Sequence, residues 1–332
     1  MEDLIRVAAI DLGTVTARVG IADLRDGELE AIERKSTICN LGEGVDATGQ
    51  LSQAAIDRVL AAVDDFLQQI KEARCHYVGC FLTSAARDAE NSETLLEALR
   101  SRGLDPEVLS GEAEGPLTFL GVTQAIDLPS MAVADLGGGS TELTLGGVTE
   151  EGVVVDWTHS FDVGARRVTE RYLERTDPPA RDAIVQCCCE VRMAFEAQMP
   201  WMDGILPRPD ALVVTGGTAT TVVAAKLGLD PYDSAQVQGA TLTIGDVDEF
   251  AQLLSAMTQE QRAKIVGVQP QRAPVILGGV LLLGELMRAA GFLELTVSES
   301  DGLAGECVAI AQELAHKKTD LPLQVRVTDL WA

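Results

Sequence analysis

One motif occurs twice in the same register, and it constrains the fold more than any other feature of the chain. Val7-Ala8-Ala9-Ile10-Asp11-Leu12-Gly13-Thr14-Val15-Thr16 is an apolar run closed by Asp-Leu-Gly and small polar residues. Ala132-Val133-Ala134-Asp135-Leu136-Gly137-Gly138-Gly139-Ser140-Thr141 does the same 124 positions later, without a gap. Beyond each turn, Val19 and Ile21 match Leu143 and Leu145 in an alternating pattern. A short apolar run, a glycine turn and an alternating run read as strand, tight turn and returning strand. Two such units predict two domains with the same beginning, related by a pseudo-twofold axis. The linker is expected near Ile126-Asp127-Leu128-Pro129, which divides the chain into domains 1–127 and 128–332.

The 332 residues suit two domains, and 46% hydrophobic against 23% charged residues suits globular cores. Helices are expected over Leu51–Ile70, where Ile56, Val59, Leu60, Val63, Leu67 and Ile70 keep helical spacing, and over 92–102, 182–198 and 247–256. Ser92 is the expected N-cap of the second of these. Strands are expected at 78–82, 106–109 and 211–214, and 321–327 reads as an added strand or a tail. The best apolar run, Pro274 to Leu283, is too short to span a bilayer. Nothing in Met1-Glu2-Asp3-Leu4 resembles a secretory signal, and seven cysteines without CxxC spacing read as reduced thiols, so a cytoplasmic protein is expected. The net charge of −25 argues against nucleic acid and against an anionic membrane as partners. With only His76, His159 and His316, a histidine metal cluster is hard to build.

The turns themselves suggest chemistry. A glycine-rich bend presents backbone N–H groups in a concave array that accepts phosphate oxygens. Thr14, Thr16, Ser140 and Thr141 add hydroxyls. An aspartate opening the bend repels phosphate but can hold Mg²⁺, which then bridges to it. Two facing bends, joined by a third loop at Gly216-Gly217-Thr218, make a metal–polyphosphate clamp. Neither GxxxxGK nor a helix-opening GxGxxG occurs, so this reading rests on the bends. Thr83, Ser84 and Arg87 lie between a predicted strand and a helix, where they can face a phosphate chain. The segment Ser110-Gly111-Glu112-Ala113-Glu114 supplies a carboxylate able to act as general base on a water attacking a phosphoanhydride.

Together these segments resemble the exopolyphosphatase/guanosine pentaphosphate phosphohydrolase (Ppx/GppA) family of the actin-like ATPase superfamily. The resemblance also takes in Asn40-Leu41-Gly42-Glu43-Gly44-Val45 and Gly164-Ala165-Arg166-Arg167, and runs in family order over about residues 5–305. It implies an α/β fold of two ribonuclease-H-like domains flanking an interdomain cleft. It implies a hydrolase that removes terminal orthophosphate from inorganic polyphosphate or from guanosine pentaphosphate, with Mg²⁺ or Mn²⁺ as cofactor and a homodimer as assembly. By position in the motifs, Glu114 would be the base and Arg87 a catalytic partner. Asp135, Glu142 and Asp11 would hold the metal. Gly13, Thr14, Thr16, Thr83, Ser84, Gly137, Gly138, Gly139, Ser140, Thr141, Arg167, Gly216, Gly217 and Thr218 would contact phosphate.

The chain departs from the family pattern at three places. Val15 stands where an amide side chain is usual, Gly115-Pro116 where Ala-Arg is usual, and Ala304 where Arg is usual. The acidic surface implies a short basic track and a preference for short polyphosphates. The alternatives are a guanosine pentaphosphate phosphohydrolase, an actin-like kinase or ATPase, and a regulator that binds an alarmone or nucleotide without cleaving it.

Overall fold

The computed structural model describes residues 4–25, 28–150, 152–201, 204–315 and 325–330. Residues 321–324 of the expected C-terminal strand or tail lie outside these, as do His316 and the first three residues. The chain forms two compact α/β units. The first comprises Met1–Asp127, Val148–Val155 and Ser300–Ala332, and the second Leu128–Gly147 and Asp156–Glu299. The sequence places all of 128–332 in the second domain; in the structure, 148–155 and 300–332 group with the first unit instead. The reason is local packing. Val153 and Val155, and the helix Gly302–Leu314 through Leu303, Cys307 and Ile310, join the first unit's apolar layer.

In the first unit, β1 (Ile5–Leu12), β2 (Thr16–Arg25) and β3 (Glu28–Ile38) form an antiparallel meander. On the other side of β1 lies parallel β4 (Tyr77–Leu82), with parallel β5 (Pro106–Val108) beyond it. The order is β3-β2-β1-β4-β5. The second sheet repeats it. β6 (Met131–Leu136), β7 (Thr141–Thr149) and β8 (Gly152–Phe161) occupy the meander positions. β9 (Ala211–Thr215) lies parallel to β6, β10 (Thr241–Thr243) forms the edge, and β11 (Glu294–Val297) lies between β9 and β10. Finally β12 (Thr328–Asp329) adds antiparallel to β4 in the first sheet. This is the strand order expected of two ribonuclease-H-like domains. The expected strand-turn-strand units are each one strand longer. β3, exposed along most of its length, carries too many charges for its alternation to show.

Strand alternation sorts the core. Ala8, Ile10 and Leu12 of β1 point to one face, where the helix Gln53–Glu72 packs through Ile56, Val59, Val63, Phe66 and Ile70. Val7 and Ala9 point to the other, against the helices Gly111–Thr123 and Gly302–Leu314. The long helix begins at Ser52, whose hydroxyl accepts from the Ala55 N–H at 3.2 Å. Ser92 is not a cap as expected. It is the first residue of the helix Ser92–Arg100, and Asn91 holds the N-cap position. The apolar run 274–283 becomes part of the helix Ile276–Ala290, buried on nearly every side within the second core. Among the described residues, no helix is long and apolar enough to cross a membrane.

Candidate active site

The two bends have one backbone geometry. Gly13 N–H donates to the Thr16 carbonyl at 3.0 Å, and Gly137 N–H to the Ser140 carbonyl at 3.1 Å. A Cβ on Gly13 would stand 3.1 Å from the Thr16 oxygen, and one on Gly137 2.9 Å from that of Ser140. Neither glycine has positive φ. Glycine is needed here for close approach across the turn rather than for left-handed backbone.

The first unit gathers its site residues around β1 and β4. These parallel strands bring the Gly13–Thr16 bend beside Thr83, whose N–H donates to the Leu12 carbonyl at 3.4 Å. Thr14, Thr83 and Ser84 are buried, and the Ser84 hydroxyl donates to Asp88 at 3.3 Å. Arg87, on the short helix Ser84–Asp88, donates from Nη1 to the Leu109 carbonyl at 2.8 Å and to Glu114 Oε2 at 3.1 Å. Glu114 stands in the first turn of the helix Gly111–Thr123. The two residues expected to do the chemistry, 27 positions apart, are therefore in direct contact. The helix continues through Pro116, which cannot donate to the Glu112 carbonyl. It is held by the helix Gly302–Leu314 at a crossing of glycines, where a Cβ on Gly305 would enter the Leu117 carbonyl and one on Gly121 that of Asp301. Ala304, where the resemblance leads one to expect arginine, is fully buried at this crossing.

Asp11 is only partly available. Opposite it on the β1–β2 ladder stands Arg18, whose Nε donates to Asp11 Oδ2 at 2.8 Å and whose Nη1 reaches Asp301. Asp11 Oδ1 is buried without a hydrogen-bond partner, as are Asp301 Oδ1 and Glu306 Oε2. Burial raises the Asp11 pKa, against the pull of Arg18. Burial, then the neighbouring Asp11 charge, raises that of Glu306 well above the ordinary carboxylate value. The sequence reading missed Arg18, Asp301 and Glu306. Arg18 was within reach, since a bend closing at Gly13–Thr16 puts position 18 opposite 11. Asp301, 283 positions from Arg18, carried no local signal.

In the second unit the position opposite Asp135 holds Glu142. Glu142 is buried and accepts from the Ser160 hydroxyl at 2.7 Å. The segment after β8 lies tightly on the bend. Ala165 N–H donates to the Gly137 carbonyl at 3.0 Å, Arg166 N–H to that of Gly138 at 2.8 Å, and Arg167 Nε to that of Gly139 at 2.6 Å. A Cβ on Gly164 would come within 2.5 Å of the Gly138 backbone. With these carbonyls held, the amides of the same trans peptides point the other way. Thr141, expected to face phosphate, is fully buried, and its hydroxyl donates to the Val163 carbonyl at 2.6 Å. Gly216, at φ 99°, closes against this bend: a Cβ there would be 2.8 Å from the Leu136 oxygen and 3.3 Å from Asp135 Oδ1. Gly217 opens the helix Gly217–Leu227 beneath the Arg272 guanidinium, a residue the sequence reading did not single out. Thr218 is buried in the first turn.

Among the described residues, no three or more His, Cys, Asp or Glu side chains gather as a metal site. A cage made wholly of protein is thus absent from them. Within the second unit, Asp135 and Glu142 stand opposite each other on one ladder rung, two carboxylates side by side. That donor set fits Mg²⁺, which takes one or two carboxylates together with water and substrate phosphates.

The chain is similar to known proteins along nearly its whole length. The sequence profile of the Ppx/GppA phosphatase family matches residues 20–302. Exopolyphosphatase 2 of Mycobacterium tuberculosis is 36% identical over 324 residues, covering 93% of this chain and 99% of that protein. The crystal structure of the Aquifex aeolicus Ppx/GppA family member superposes with a TM-score of 0.77 at 29% identity, covering 96% of this chain and all of that one. An exopolyphosphatase from Cytophaga hutchinsonii gives a TM-score of 0.80 at 25% identity, covering 94% and 99%. The chain belongs to the Ppx/GppA phosphatase family and is a hydrolase of phosphoanhydride bonds.

Proposed function

We propose that this hydrolase is an exopolyphosphatase, releasing terminal orthophosphate from inorganic polyphosphate. The observation that carries the reading is the Arg87–Glu114 contact. Glu114 takes a proton from the water that attacks the terminal phosphorus. The new P–O bond forms as the bridging P–O bond breaks, yielding orthophosphate and a chain one unit shorter. Arg87 aligns the Glu114 carboxylate from one oxygen. The amides of the two glycine bends receive phosphate oxygens, as do the hydroxyls of Thr14, Thr83 and Ser140. Arg167 fixes the Gly139 peptide from behind. Asp135 and Glu142 would hold Mg²⁺ or Mn²⁺, which would neutralise phosphate charge. Asp11, with Oδ2 committed to Arg18, is the lesser candidate.

The direct test is Glu114→Gln, which keeps shape and removes the base. Phosphate release is expected to fall by roughly 10²–10⁴-fold, and near-normal release by the purified variant would reject the assignment. Release from polyphosphate without ATP separates the proposal from a kinase or ATPase. Release from guanosine pentaphosphate but not polyphosphate would move the substrate to the alarmone, and tight alarmone binding without release would indicate a regulator. The net charge of −25 supports a preference for short chains. Turnover that climbs steadily into hundreds of units would contradict that part.

A further inference from the structure

The segment Asn40-Leu41-Gly42-Glu43-Gly44-Val45 belongs to the family resemblance, yet no step of the reaction uses it. Its backbone is spent on the first bend. Cys39 N–H and Asn40 N–H both donate to the Val15 carbonyl at 2.9 Å, and Gly42 N–H donates to the Thr14 carbonyl at 2.9 Å. Because the peptides are trans, holding the carbonyls of Thr14 and Val15 turns the amides of Val15 and Thr16 to the opposite side. Those amides are the donors a phosphate nest requires. The fit is tight: a Cβ on Gly42 would collide with the Thr14 methyl group and stand 3.3 Å from the Ala85 Cβ. Asn40 sits at φ 51°, in the left-handed region.

Two anchors hold this segment. Arg58, on the helix Gln53–Glu72, donates from Nε to the Cys39 carbonyl at 2.6 Å. Its Nη2 donates to the Asn40 carbonyl at 3.2 Å and to Glu43 at 3.0 Å. Further on, Leu51 N–H donates to Asn91 Oδ1 at 2.8 Å and Asn91 Nδ2 to the Leu51 carbonyl at 2.9 Å. Asn91 closely follows the helix that bears Arg87. The second unit has the same device: after β8, residues 165–167 take the carbonyls of Gly137 and Gly138, and the Arg167 guanidinium takes that of Gly139. There the arginine sits within the capturing segment. In the first unit it comes from the next helix.

We infer that Arg58 is a positioning residue for hydrolysis, clamping Cys39–Gly42 so that the first bend presents its amides to phosphate. This rests on the reading of that bend as phosphate-binding. Arg58 is two-fifths exposed, so its removal need not open the core. The experiment measures tripolyphosphate turnover and, separately, its calorimetric Kd, for the full chain and for Arg58→Ala and Arg58→Lys. For Arg58→Ala, KM and Kd should rise about tenfold with kcat within about twofold, the signature of lost ground-state binding. Arg58→Lys keeps the charge but lacks the fork that spans two carbonyls, and should recover less than half of the loss. Unchanged KM and Kd in Arg58→Ala, or full recovery with lysine, would overturn the inference; the latter would reduce it to a charge effect. If Arg58→Ala does not fold, Gly42→Ala presses on Thr14 from the other side; wild-type binding in that variant would also overturn it. A wild-type chain that binds tripolyphosphate without releasing phosphate would defeat the proposed function and leave the Kd comparison to decide this one.

Discussion

The two bends share a backbone and differ at one rung. Opposite Asp11 stands Arg18, and opposite Asp135 stands Glu142. In the first unit the acid meets a guanidinium that also reaches Asp301. In the second it meets another acid, whose carboxylate is steadied by Ser160. One duplicated turn thus presents either an internally countered aspartate or two carboxylates, according to a single cross-strand side chain. The difference teaches that the glycines fix the shared backbone of the two bends, while the facing residue decides whether the aspartate is countered within the protein. It is also why the proposed function ranks Asp11, equivalent by repeat to Asp135, below it as a candidate to hold the metal.

Four substitutions would break or sharpen this comparison. The largest effect is expected from Arg18→Gln, which strands Asp11 and Asp301 together in a buried site. Breaking such a pair costs about 3–5 kcal/mol, readable as a lowered urea midpoint. A midpoint equal to wild type would show that Arg18 is not the first unit's internal counter-charge. Next, Glu142→Gln should weaken Mn²⁺ binding by roughly 10–100-fold, measured by titration calorimetry, with the fold intact by circular dichroism. Equal affinity would remove the second rung from the metal site. Gly137→Ala should destabilise by about 1–3 kcal/mol, and Gly13→Ala by less, since its Cβ has 3.1 Å rather than 2.9 Å to the carbonyl across the turn. The reverse order in thermal melts would contradict this ranking of the two turns by their clearance.

The smallest effect concerns pH. Glu306 has a pKa raised by burial and by Asp11, so the folded state keeps a proton that the unfolded chain releases above the ordinary carboxylate range. Its contribution is therefore most favourable below that range, and stability declines as pH rises from there towards the folded-state value. Glu306→Gln should flatten that decline in urea midpoints taken from acid to mildly alkaline pH. An unchanged slope would show that Glu306 is ionised in the folded protein.

Much of the first unit was legible from the chain. Helical spacing located the helix Gln53–Glu72, and the apolar run before Thr83 located β4. Asp11 and Asp135, Gly13 and Gly137 were marked by the repeat itself. Other features were hidden for physical reasons. β3 is an exposed charged edge without alternation. Thr141 looks like a phosphate donor in the motif, but the ladder buries it and Val163 takes its hydroxyl. The return of 300–332 to the first unit depends on glycines 121 and 305 meeting helix to helix, a contact between residues far apart in the chain.

The residues alone determined the duplicated bends, the candidate base and arginine, and the family, because each is encoded within a few consecutive positions where turn geometry and hydrogen bonding are local. The tertiary structure decided which carboxylate meets an arginine and which meets another acid, that Arg87 touches Glu114, and that the segment 39–42 holds the first bend from behind. Those outcomes depend on strand register and close helix packing, which join residues tens to hundreds of positions apart and leave no mark on any one stretch of sequence.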